Sequence, residues 1–440
     1  MNYAISSDDM QAKRGETLHT TTQVAAIILG GGEGTRLYPL TLSRCKPAIS
    51  FGAKYRLIDV PISQCIHAHL THVYVITQFL SSSLHHHIAK TYMESGKSRG
   101  RIDLLTAEQR PAERNWYQGT ADAVRQNLDY LLESPAEYFL ILSGDQIYNM
   151  DLRLLIQRAQ TMDADVTIAA LPVHTQDATR MGVLKMNEDG WMTHFHEKPQ
   201  AKELLLQLKS GCLSPCKASL HKEHLGSMGI YLFKRNVLVQ ILQTHPGTDF
   251  GKHIIPAALE SYRVGIFPYE GYWEDIGTIA SFYHANMGLL GANPLFRLHH
   301  EERPLFSYQD DLAPTIFENT HTQQSLIADG GHIAAQEIRR SLIGPRSRIG
   351  AGTSIADSYL MGNDYYHSFV EDHPRMPHFP HIGENCFIQK AILDKNVVLG
   401  KGVKLVNEQK ISHYDGENIF IRDGIIIVPR GCRLRDGFSL

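Results

Sequence analysis

The chain has 440 residues, enough for two or three domains, and 43% hydrophobic with 20% charged residues is an ordinary globular composition. A formal net charge of -3 excludes a global field that would attract nucleic acid or an acidic membrane, so any recognition of anions must be local. Residues 1–22 form a polar extension without the apolar core of a signal peptide, and no apolar run is long enough to span a bilayer. We therefore expect a cytoplasmic protein whose partners are small molecules, not nucleic acid or membrane.

The cysteines and histidines do not predict a metal site. The six cysteines are scattered without a CxxC pair, and Cys212 and Cys216 have no second ligand pair, so reduced thiols are expected. The 24 histidines include the run His85 to His87, but three adjacent side chains on a helix point in different directions and cannot chelate together.

A glycine-rich stretch follows the first predicted strand, residues 26–29. Its glycines allow a tight turn with outward-facing amides, and they are Gly30, Gly31, Gly32 and Gly34. Such amides can approach a polyanion closely, and Arg36 adds a fixed charge with planar donors. A plain strand-to-helix turn is the alternative, because a glycine-rich turn alone is a weak signal. The loop lacks the Gly-Lys-Ser/Thr end of a Walker loop and the distant acid of a dinucleotide fingerprint.

The next segments predict an α/β domain. Residues 55–63 lead into an amphipathic helix and residues 72–77 predict a buried strand, so a parallel crossover unit is expected. The pattern of residues 81–92 predicts a helix, and residues 102–105 predict a short strand. Thr120 follows Gly119 where a helix begins, so we expect its hydroxyl and the free amides there to face a ligand.

Asp145 follows the hydrophobic strand predicted at residues 138–142. In open α/β sheets ligands lie at the carboxyl edge of the strands. On local grounds alone, an aspartate at this position caps a turn as often as it binds a metal. Glu197 and Lys198, taken alone, would be a solvated charge pair.

The pattern changes after a linker predicted at residues 295–315. Residues 341–355 and 381–403 place aliphatic residues about every six positions, with small residues or glycine between them, which predicts a hexapeptide parallel β-helix. Ordinary hairpins at glycine turns are the alternative. Residues 359–379, rich in His, Pro and aromatic residues, are expected to form a loop outside the coils. The predicted domains are therefore 23–294 and 316–440.

Several motifs in this order resemble the sugar-1-phosphate nucleotidyltransferases. They are the loop through Leu37, Lys46-Pro47, Asp145, Glu197-Lys198-Pro199, Ser227-Met228-Gly229 and Trp273-Glu274-Asp275. The resemblance runs from residue 24 to the carboxyl terminus. It implies a Rossmann-like α/β domain with a mostly parallel sheet, followed by a left-handed parallel β-helix domain for regulation and oligomerisation.

The resemblance also assigns site residues. It implies catalytic roles for Arg36, Lys46 and Asp145, and a Mg²⁺ site at Asp145 and Asp275, whose hard carboxylates suit that ion. The implied nucleotide site comprises Leu29, Gly30, Gly31, Gly32, Gly34, Thr35, Gln109, Tyr117, Gly119 and Thr120. The implied sugar-phosphate site comprises Gly182, Glu197, Lys198, Ser227, Met228 and Gly229.

Within that family, residues 51–56, 75–79, 115–123 and 421–424 are similar to the glucose-1-phosphate adenylyltransferases. This similarity implies that ATP and glucose 1-phosphate form ADP-glucose and pyrophosphate, in a homotetramer controlled by an anionic metabolite. Three alternatives remain: a transferase that uses UTP, GTP or dTTP, a non-catalytic regulatory subunit, and an acyltransferase β-helix fused to a transferase domain.

Two positions depart from relatives of that group. Ser43 replaces the regulatory lysine of enterobacterial enzymes, and Arg430 lies where cyanobacterial and plant enzymes have an activator-binding lysine. We hypothesise that Arg44, Arg56 and Arg430 together bind an anionic effector, because each arginine can make charge-assisted contacts to phosphate or carboxylate. Coupling to catalysis would pass through the segments that carry Gln78 and Trp116.

Overall fold

The computed structural model describes residues 23–94, 100–108, 116–210, 222–308, 311–366 and 381–440. The predictions for residues 1–22, for Gln109 and for most of the 359–379 loop lie outside these ranges. The start of that predicted loop was wrong, because Tyr359–Leu360 is a buried strand of the β-helix. The described chain folds into a sheet-and-helix domain followed by a parallel β-helix, which confirms the predicted fold class. Among its helices, none combines the length and the apolar character needed to cross a lipid bilayer.

Nine of the described strands form the main sheet of the first domain. They are β1 (Val24–Leu29), β2 (His72–Thr77), β3 (Arg101–Thr106), β4 (Tyr138–Ser143), β5 (Val166–Val173), β6 (Gly182–Met186), β7 (Met192–Glu197), β8 (His224–Lys234) and β9 (Val264–Pro268). Their order is β7-β6-β8-β4-β1-β2-β3, and β5 joins β8 to β9. Strands β4, β1, β2 and β3 run parallel, whereas β8 is antiparallel to β4, β5 and β6.

Strand β1 lies at the centre of the sheet because both of its faces are apolar. Ala26 and Ile28 pack into one buried cluster, and Ala25 and Ile27 pack into another on the opposite face. Successive residues of a strand point to opposite faces, so a strand covered by helices on both sides has a continuous apolar sequence.

Helices cover both faces of this sheet. They are Asp59–His67, Ser82–Ile88, Thr120–Gln126, Leu128–Leu132, Leu152–Thr161, Thr175–Ala178, Lys202–Gln207, Arg235–Thr244, Ile255–Ser261 and Ile279–Met287. Short 3-10 turns lie at Thr35–Leu37 and Lys46–Ala48, and π-helical turns lie at Ala89–Met93 and Phe250–Ile254. Two small antiparallel pairs complete the domain: Ser50–Phe51 with Tyr55–Arg56, and Gln146–Tyr148 with Trp273–Asp275.

The second domain stacks short parallel strands into coils. One sheet contains Ile316–Phe317, His332–Ile333 and Arg348–Ile349, and Val398–Leu399 pairs with Arg433–Leu434 farther along. A second contains His321–Gln323, Glu337–Arg339, Ser354–Ala356, Phe387–Gln389 and Lys404–Leu405. A third contains Leu326–Ile327, Leu342–Ile343, Tyr359–Leu360, Ala391–Leu393 and Ile425–Val428, and continues antiparallel with Phe420–Arg422 and His413–Asp415. The periodic aliphatic residues fill the interior of the coils.

The two domains share a buried apolar interface. Phe282 of the first domain stacks on Tyr359 of the second, with ring centroids 6.0 Å apart. The Tyr283 hydroxyl donates to the carbonyl of Asp357 at 2.6 Å. Between the domains, residues 295–308 form neither helix nor strand and lie along the first domain, where the Ser307 hydroxyl donates to Asp59 at 2.6 Å. Both domains are therefore held in one packed unit.

Candidate active site

The glycine loop leaves β1 at the edge of the sheet. Gly34 has φ +66, a conformation that favours glycine, and a Cβ there would lie 3.0 Å from Thr41 Cγ2 and 3.3 Å from Lys46 Cβ. Gly32, Thr35 and Arg36 are exposed beside it. The turn is therefore tightly packed on its inner side and open on its outer side.

A cavity of about 420 Å³ lies between this loop and Lys46. Its lining includes predicted residues of the nucleotide and catalytic groups, namely Leu29, Gly30, Gly32, Gly34, Thr35, Arg36, Lys46 and Asp145. Two cations and an open backbone turn thus face one space, which is the arrangement that a polyphosphate requires.

Lys46 connects the two predicted metal-binding carboxylates. Its Nζ lies 2.5 Å from Asp145 Oδ2 and 3.6 Å from Asp275 Oδ1. The short pairing of Gln146–Tyr148 with Trp273–Asp275 places Gln146 opposite Asp275, which brings the two distant parts of the chain together. The Ser143 hydroxyl also donates to Asp145 Oδ1. Asp145 and Asp275 therefore converge at the carboxyl edge of the sheet, as predicted.

The pKa values of Asp145 and Asp275 are shifted in opposite directions. Burial alone would raise the pKa of Asp145, but contact with Lys46 holds it below its ordinary value. Burial, followed by the charge of Asp145, raises the pKa of Asp275. Burial raises the pKa of the neighbouring Glu274 to about 7, assisted by Asp275 and Asp177. Three carboxyl groups thus lie close together, and Lys46 and Arg36 oppose the rise in the pKa of Asp275.

This donor set fits a hard divalent cation. Two carboxylates converge on the Lys46 ammonium, and burial together with the charge of Asp145 raises the pKa of Asp275. Among the described residues there is no group of three or more His, Cys, Asp or Glu side chains placed to hold a metal. Mg²⁺ commonly takes one or two carboxylates and completes its coordination with water and substrate phosphate, so two aspartates suffice.

A second cavity, of about 500 Å³, adjoins the first at Asp145. It is lined by both predicted binding sets: Leu29, Gly31, Gly32, Tyr117, Gly119 and Thr120 from the nucleotide set, and Gly182, Glu197, Lys198, Ser227, Met228 and Gly229 from the sugar-phosphate set. Asp275 lines it as well. The structure therefore brings the two predicted sets around one space next to the carboxylates.

Gly182 and Glu197, two of the predicted sugar-phosphate residues, line one end of this cavity. A Cβ on Gly182 would lie 2.6 Å from the Phe195 ring and 2.9 Å from Glu197 Oε2, so only glycine fits there. Lys198 Nζ lies 3.4 Å from Glu197 Oε1, and 55% of the lysine side chain is exposed. Lys198 thus presents an ammonium group, paired with Glu197, at the mouth of the cavity.

Gln146 is a site residue that the sequence reasoning missed. It is 6% exposed, and its Nε2 donates to the carbonyl of Met228 at 2.8 Å. This contact ties Asp145 to the turn at Gly229, which has φ +68 and whose N–H donates to Ser227 Oγ at 3.3 Å. The only signal in the sequence is that Gln146 directly follows Asp145.

The segment around Tyr117, a predicted nucleotide-binding residue, is bonded to the residue that follows β2. The N–H of Tyr117 donates to Gln78 Oε1 at 2.7 Å, and Trp116 stacks on Phe79 with centroids 5.8 Å apart. Asn127 Nδ2 donates to the Tyr117 hydroxyl at 2.9 Å. Gln78 therefore positions Tyr117 through a direct hydrogen bond.

The prediction for the start of the helix after Gly119 was wrong in part. The N–H groups of Ala121 and Asp122 donate to the carbonyl of Thr248 at 2.8 and 3.1 Å, so they are not free for a ligand. The Thr120 hydroxyl accepts from the N–H of Phe250 at 3.1 Å. A Cβ on Gly119 would lie 2.4 Å from the Thr248 carbonyl, which explains the glycine by close backbone approach.

A third cavity, of about 610 Å³, lies between the two domains. Arg56 and Arg430 of the hypothesised effector set line it, but Arg44 does not. The Arg44 side chain is 2% exposed and its Nη2 lies 2.5 Å from Asp394 Oδ1, so the grouping of all three arginines on one ligand was wrong. Cations that the hypothesis did not include line the cavity as well, namely Lys54, Lys90, Arg346 and Lys395. Only folding reveals them, because they come from separated segments of both domains.

Comparison with known protein families agrees with this architecture. The model of the nucleotidyl transferase family matches residues 25–291. The model of the GLGC left-handed parallel beta-helix domain matches residues 311–438. The first match covers more than half of the chain and contains Arg36, Lys46, Asp145 and Asp275. The chain therefore belongs to the nucleotidyl transferase family and carries a left-handed β-helix domain after its transferase domain.

Proposed function

We propose that the protein transfers the adenylyl group of ATP to glucose 1-phosphate, which yields ADP-glucose and pyrophosphate, the committed step of glycogen or starch synthesis. The observation that carries the proposal is the meeting of two cavities at Asp145, with Arg36 and Lys46 on one side and Glu197 and Lys198 on the other. A triphosphate and a sugar phosphate fit these two sides, and both reach the carboxylate pair.

The reaction is an in-line displacement at the α-phosphorus. An oxygen of the sugar phosphate attacks and pyrophosphate leaves, so no side-chain nucleophile is needed. Lys198 holds the attacking phosphate at the mouth of the cavity, and Lys46 and Arg36 neutralise the triphosphate; positioning and charge compensation then lower the barrier. Mg²⁺ held by Asp145 and Asp275 would supply further charge neutralisation on the phosphates.

The choice of adenine and glucose is supported by the similarity of residues 115–123 to the glucose-1-phosphate adenylyltransferases and by the fixed position of Tyr117 in the cavity. The test is pyrophosphate release from glucose 1-phosphate with ATP, UTP, GTP and dTTP in parallel. We expect ATP to give the highest kcat/KM. Preference for another nucleotide would contradict the adenylyl assignment, and no release with any nucleotide would favour a non-catalytic subunit.

We also propose that an anionic metabolite controls the enzyme from the interdomain cavity. Six lysines and arginines among its lining residues outnumber three aspartates, and they come from both domains. An anion bound there would link the domains through charge-assisted contacts. Its effect would reach the nucleotide end through Gln78, which holds Tyr117.

The proposed control has a double test. Arg430→Ala is expected to weaken activation by 3-phosphoglycerate or fructose 1,6-bisphosphate, while unactivated kcat stays within a few fold of wild type. Gln78→Ala is expected to keep effector binding and to lose the stimulation, which typical couplings place at roughly 5- to 150-fold. An unchanged half-activating concentration in Arg430→Ala would show that the effector binds elsewhere.

A further inference from the structure

Asp364 lies in the interdomain cavity among the cations of the β-helix. Its Oδ1 accepts from Lys395 Nζ at 2.8 Å, and its Oδ2 accepts from Arg430 Nη2 at 2.7 Å. Asn396 holds it from two sides: Asn396 Nδ2 donates to Oδ2 at 3.0 Å, and Asn396 Oδ1 accepts from the N–H of Asp364 at 2.8 Å. The carboxylate is therefore fixed between two cations of its own domain.

The opposite wall of the cavity contributes Arg56 from the transferase domain. Its Nη1 donates to the carbonyl of Ser83 at 2.9 Å. Burial lowers the pKa of Lys395, and Asp364 opposes that shift. Burial would raise the pKa of Asp364, but Lys395 and then Arg430 lower it to about 2, so it stays charged at neutral pH. Without this carboxylate, the cations around the cavity would repel one another.

We infer that Asp364 is an internal counter-ion of the effector site, and that an anionic effector must displace it from Lys395 and Arg430 in order to bind. The inference rests on the proposed control from this cavity. Among the residues that the structure describes, the side-chain hydrogen bonds of Asp364 come from Lys395, Asn396 and Arg430 of the β-helix, whereas a bound phosphate or carboxylate could contact Arg56 as well. When the effector replaces the Asp364 carboxylate, hydrogen bonds within the β-helix domain are therefore exchanged for contacts between the two domains.

Asp364→Asn tests the exchange directly, because it removes the charge and keeps the size of the side chain. Binding of inorganic phosphate, 3-phosphoglycerate and fructose 1,6-bisphosphate to the full chain is measured by calorimetry without substrates. We expect the anion that binds wild type most tightly to bind Asp364→Asn at least about fivefold more tightly still, which is the low end of ordinary allosteric coupling. We also expect the anion-free variant to unfold at a lower temperature than wild type and the anion to restore more of its stability.

Asp329→Asn is the matched control. Asp329 lines the same cavity and carries the same charge, but Lys395 and Arg430 bond to Asp364 instead. We expect a smaller gain in anion affinity from Asp329→Asn than from Asp364→Asn. Equal gains would show that overall charge, not the fixed carboxylate, limits binding, and would overturn the inference.

A second variant covers the case in which Asp364→Asn fails to fold. Asn396→Gly removes both hydrogen bonds that fix Asp364, leaves every charge in place and suits the φ of +62 at this position. It is also expected to bind the anions more tightly than wild type. No gain in either folded variant would overturn the internal counter-ion while leaving the proposed control standing. If neither wild type nor any variant binds an anion, both the internal counter-ion and the proposed control are contradicted.

Discussion

At the scale of single residues, Lys46 determines the electrostatics of the active site. Its ammonium pairs with Asp145 and also approaches Asp275, so one positive charge lies between two partly buried carboxylates. Burial would lower the pKa of Lys46, but the two aspartates raise it, and the side chain therefore remains charged. The proposed Mg²⁺ would compensate the remaining negative charge of Asp145 and Asp275.

Replacing Asp145 by asparagine is expected to abolish turnover without unfolding the protein, because it removes one charge at nearly constant volume. The loss in kcat is expected to reach roughly 10³-fold or more, since transition-state electrostatics supply several kcal/mol. Steady-state pyrophosphate release in Mg²⁺ measures it. Asp163→Asn, at an exposed position paired with Lys234 and Arg263, is the control and should keep wild-type turnover. A residual kcat above about a tenth of wild type would refute the role of Asp145.

Lys198→Ala is expected to raise the KM for glucose 1-phosphate far more than the KM for ATP. We propose that its exposed ammonium binds the sugar phosphate, so its loss should remove mainly ground-state binding. Initial rates with each substrate varied in turn give both constants. Lys185→Ala, which removes an exposed lysine bonded to the carbonyl of Gln207, is the matched control. Equal increases in the two KM values would place Lys198 outside the sugar-phosphate site.

The sequence allowed most of these residues to be predicted because each belongs to a short ordered motif. Arg36, Lys46, Asp145 and Asp275 all lie where two adjoining cavities meet or close to it. Gln146 could not be predicted, since its role depends on reaching the carbonyl of Met228 across the sheet. A local pattern reports the residue type at a position but not the distant backbone that approaches it.

At the scale of elements, the sequence predicted glycine-dependent turns, but it showed only in part why glycine is required at each position. Gly34 adopts the positive φ expected of a tight turn. Gly119, in contrast, is extended, and its missing side chain makes room for the carbonyl of Thr248. That carbonyl then accepts from the helix amides that were expected to face a ligand. The β-helix could be predicted without knowledge of contacts between distant segments, because its aliphatic residues recur about every six positions.

The stability of the β-helix is expected to fall in acid because of His381. This residue is 3% exposed, and burial together with Arg348 lowers its pKa to about 4. An unfolded chain binds a proton near pH 6.5 and the folded one only near pH 4, so the unfolded state gains relative stability as pH falls through this window. The loss is expected to approach about 3 kcal/mol at its limit.

Chemical denaturation at pH 7.5 and pH 4.5 measures this loss in wild type and in His381→Gln. The variant should lose less stability between the two pH values than wild type, whatever its stability at pH 7.5. Substitution of the exposed His321, for which no such burial exists, is the control and should keep the wild-type difference. An identical pH dependence in His381→Gln would show that other groups cause the acid sensitivity.

At the scale of the whole molecule, the interface between the domains is both apolar and charged. Its centre contains Leu37, Leu40 and Phe282 from the transferase domain and Tyr359 and Ile427 from the β-helix. The buried pair of Arg44 and Asp394 crosses the same interface. This pairing could not be predicted from the sequence. Arg44 lies in a motif that suggested ligand binding, and Asp394 lies in a repeat that suggested only a coil.

Breaking this ion pair at one end is expected to cost more than removing it entirely. Asp394→Leu leaves the Arg44 guanidinium buried without its partner, for which about 3–5 kcal/mol is typical. The double variant Arg44→Leu, Asp394→Leu should recover a substantial part of that loss. Denaturant unfolding of the two single variants and the double variant gives the coupling energy. Additive losses would show that the two charges do not stabilise each other.

Removing the chain after Leu312 is expected to leave a poorly soluble or wrongly assembled transferase domain. The truncation uncovers Leu37, Leu40 and Phe282 and removes the partner of Arg44. Light scattering compares it with the full chain, which we propose forms a homotetramer through the exposed flat faces of the coils. A soluble, monodisperse truncated domain would contradict the first expectation, and a monomeric full chain would contradict the second.

The shared interface also governs how the protein is made. The apolar surface around Phe282 leaves the ribosome long before Phe420, Ile425 and Ile427, which complete its cover near the carboxyl terminus. At ordinary translation speeds this interval is of the order of ten seconds, far longer than a hydrophobic collapse takes. During this interval, the apolar surface of the nascent transferase domain is exposed to other nascent chains on the same messenger RNA. We therefore expect chaperones that bind apolar surfaces to raise the yield of folded protein.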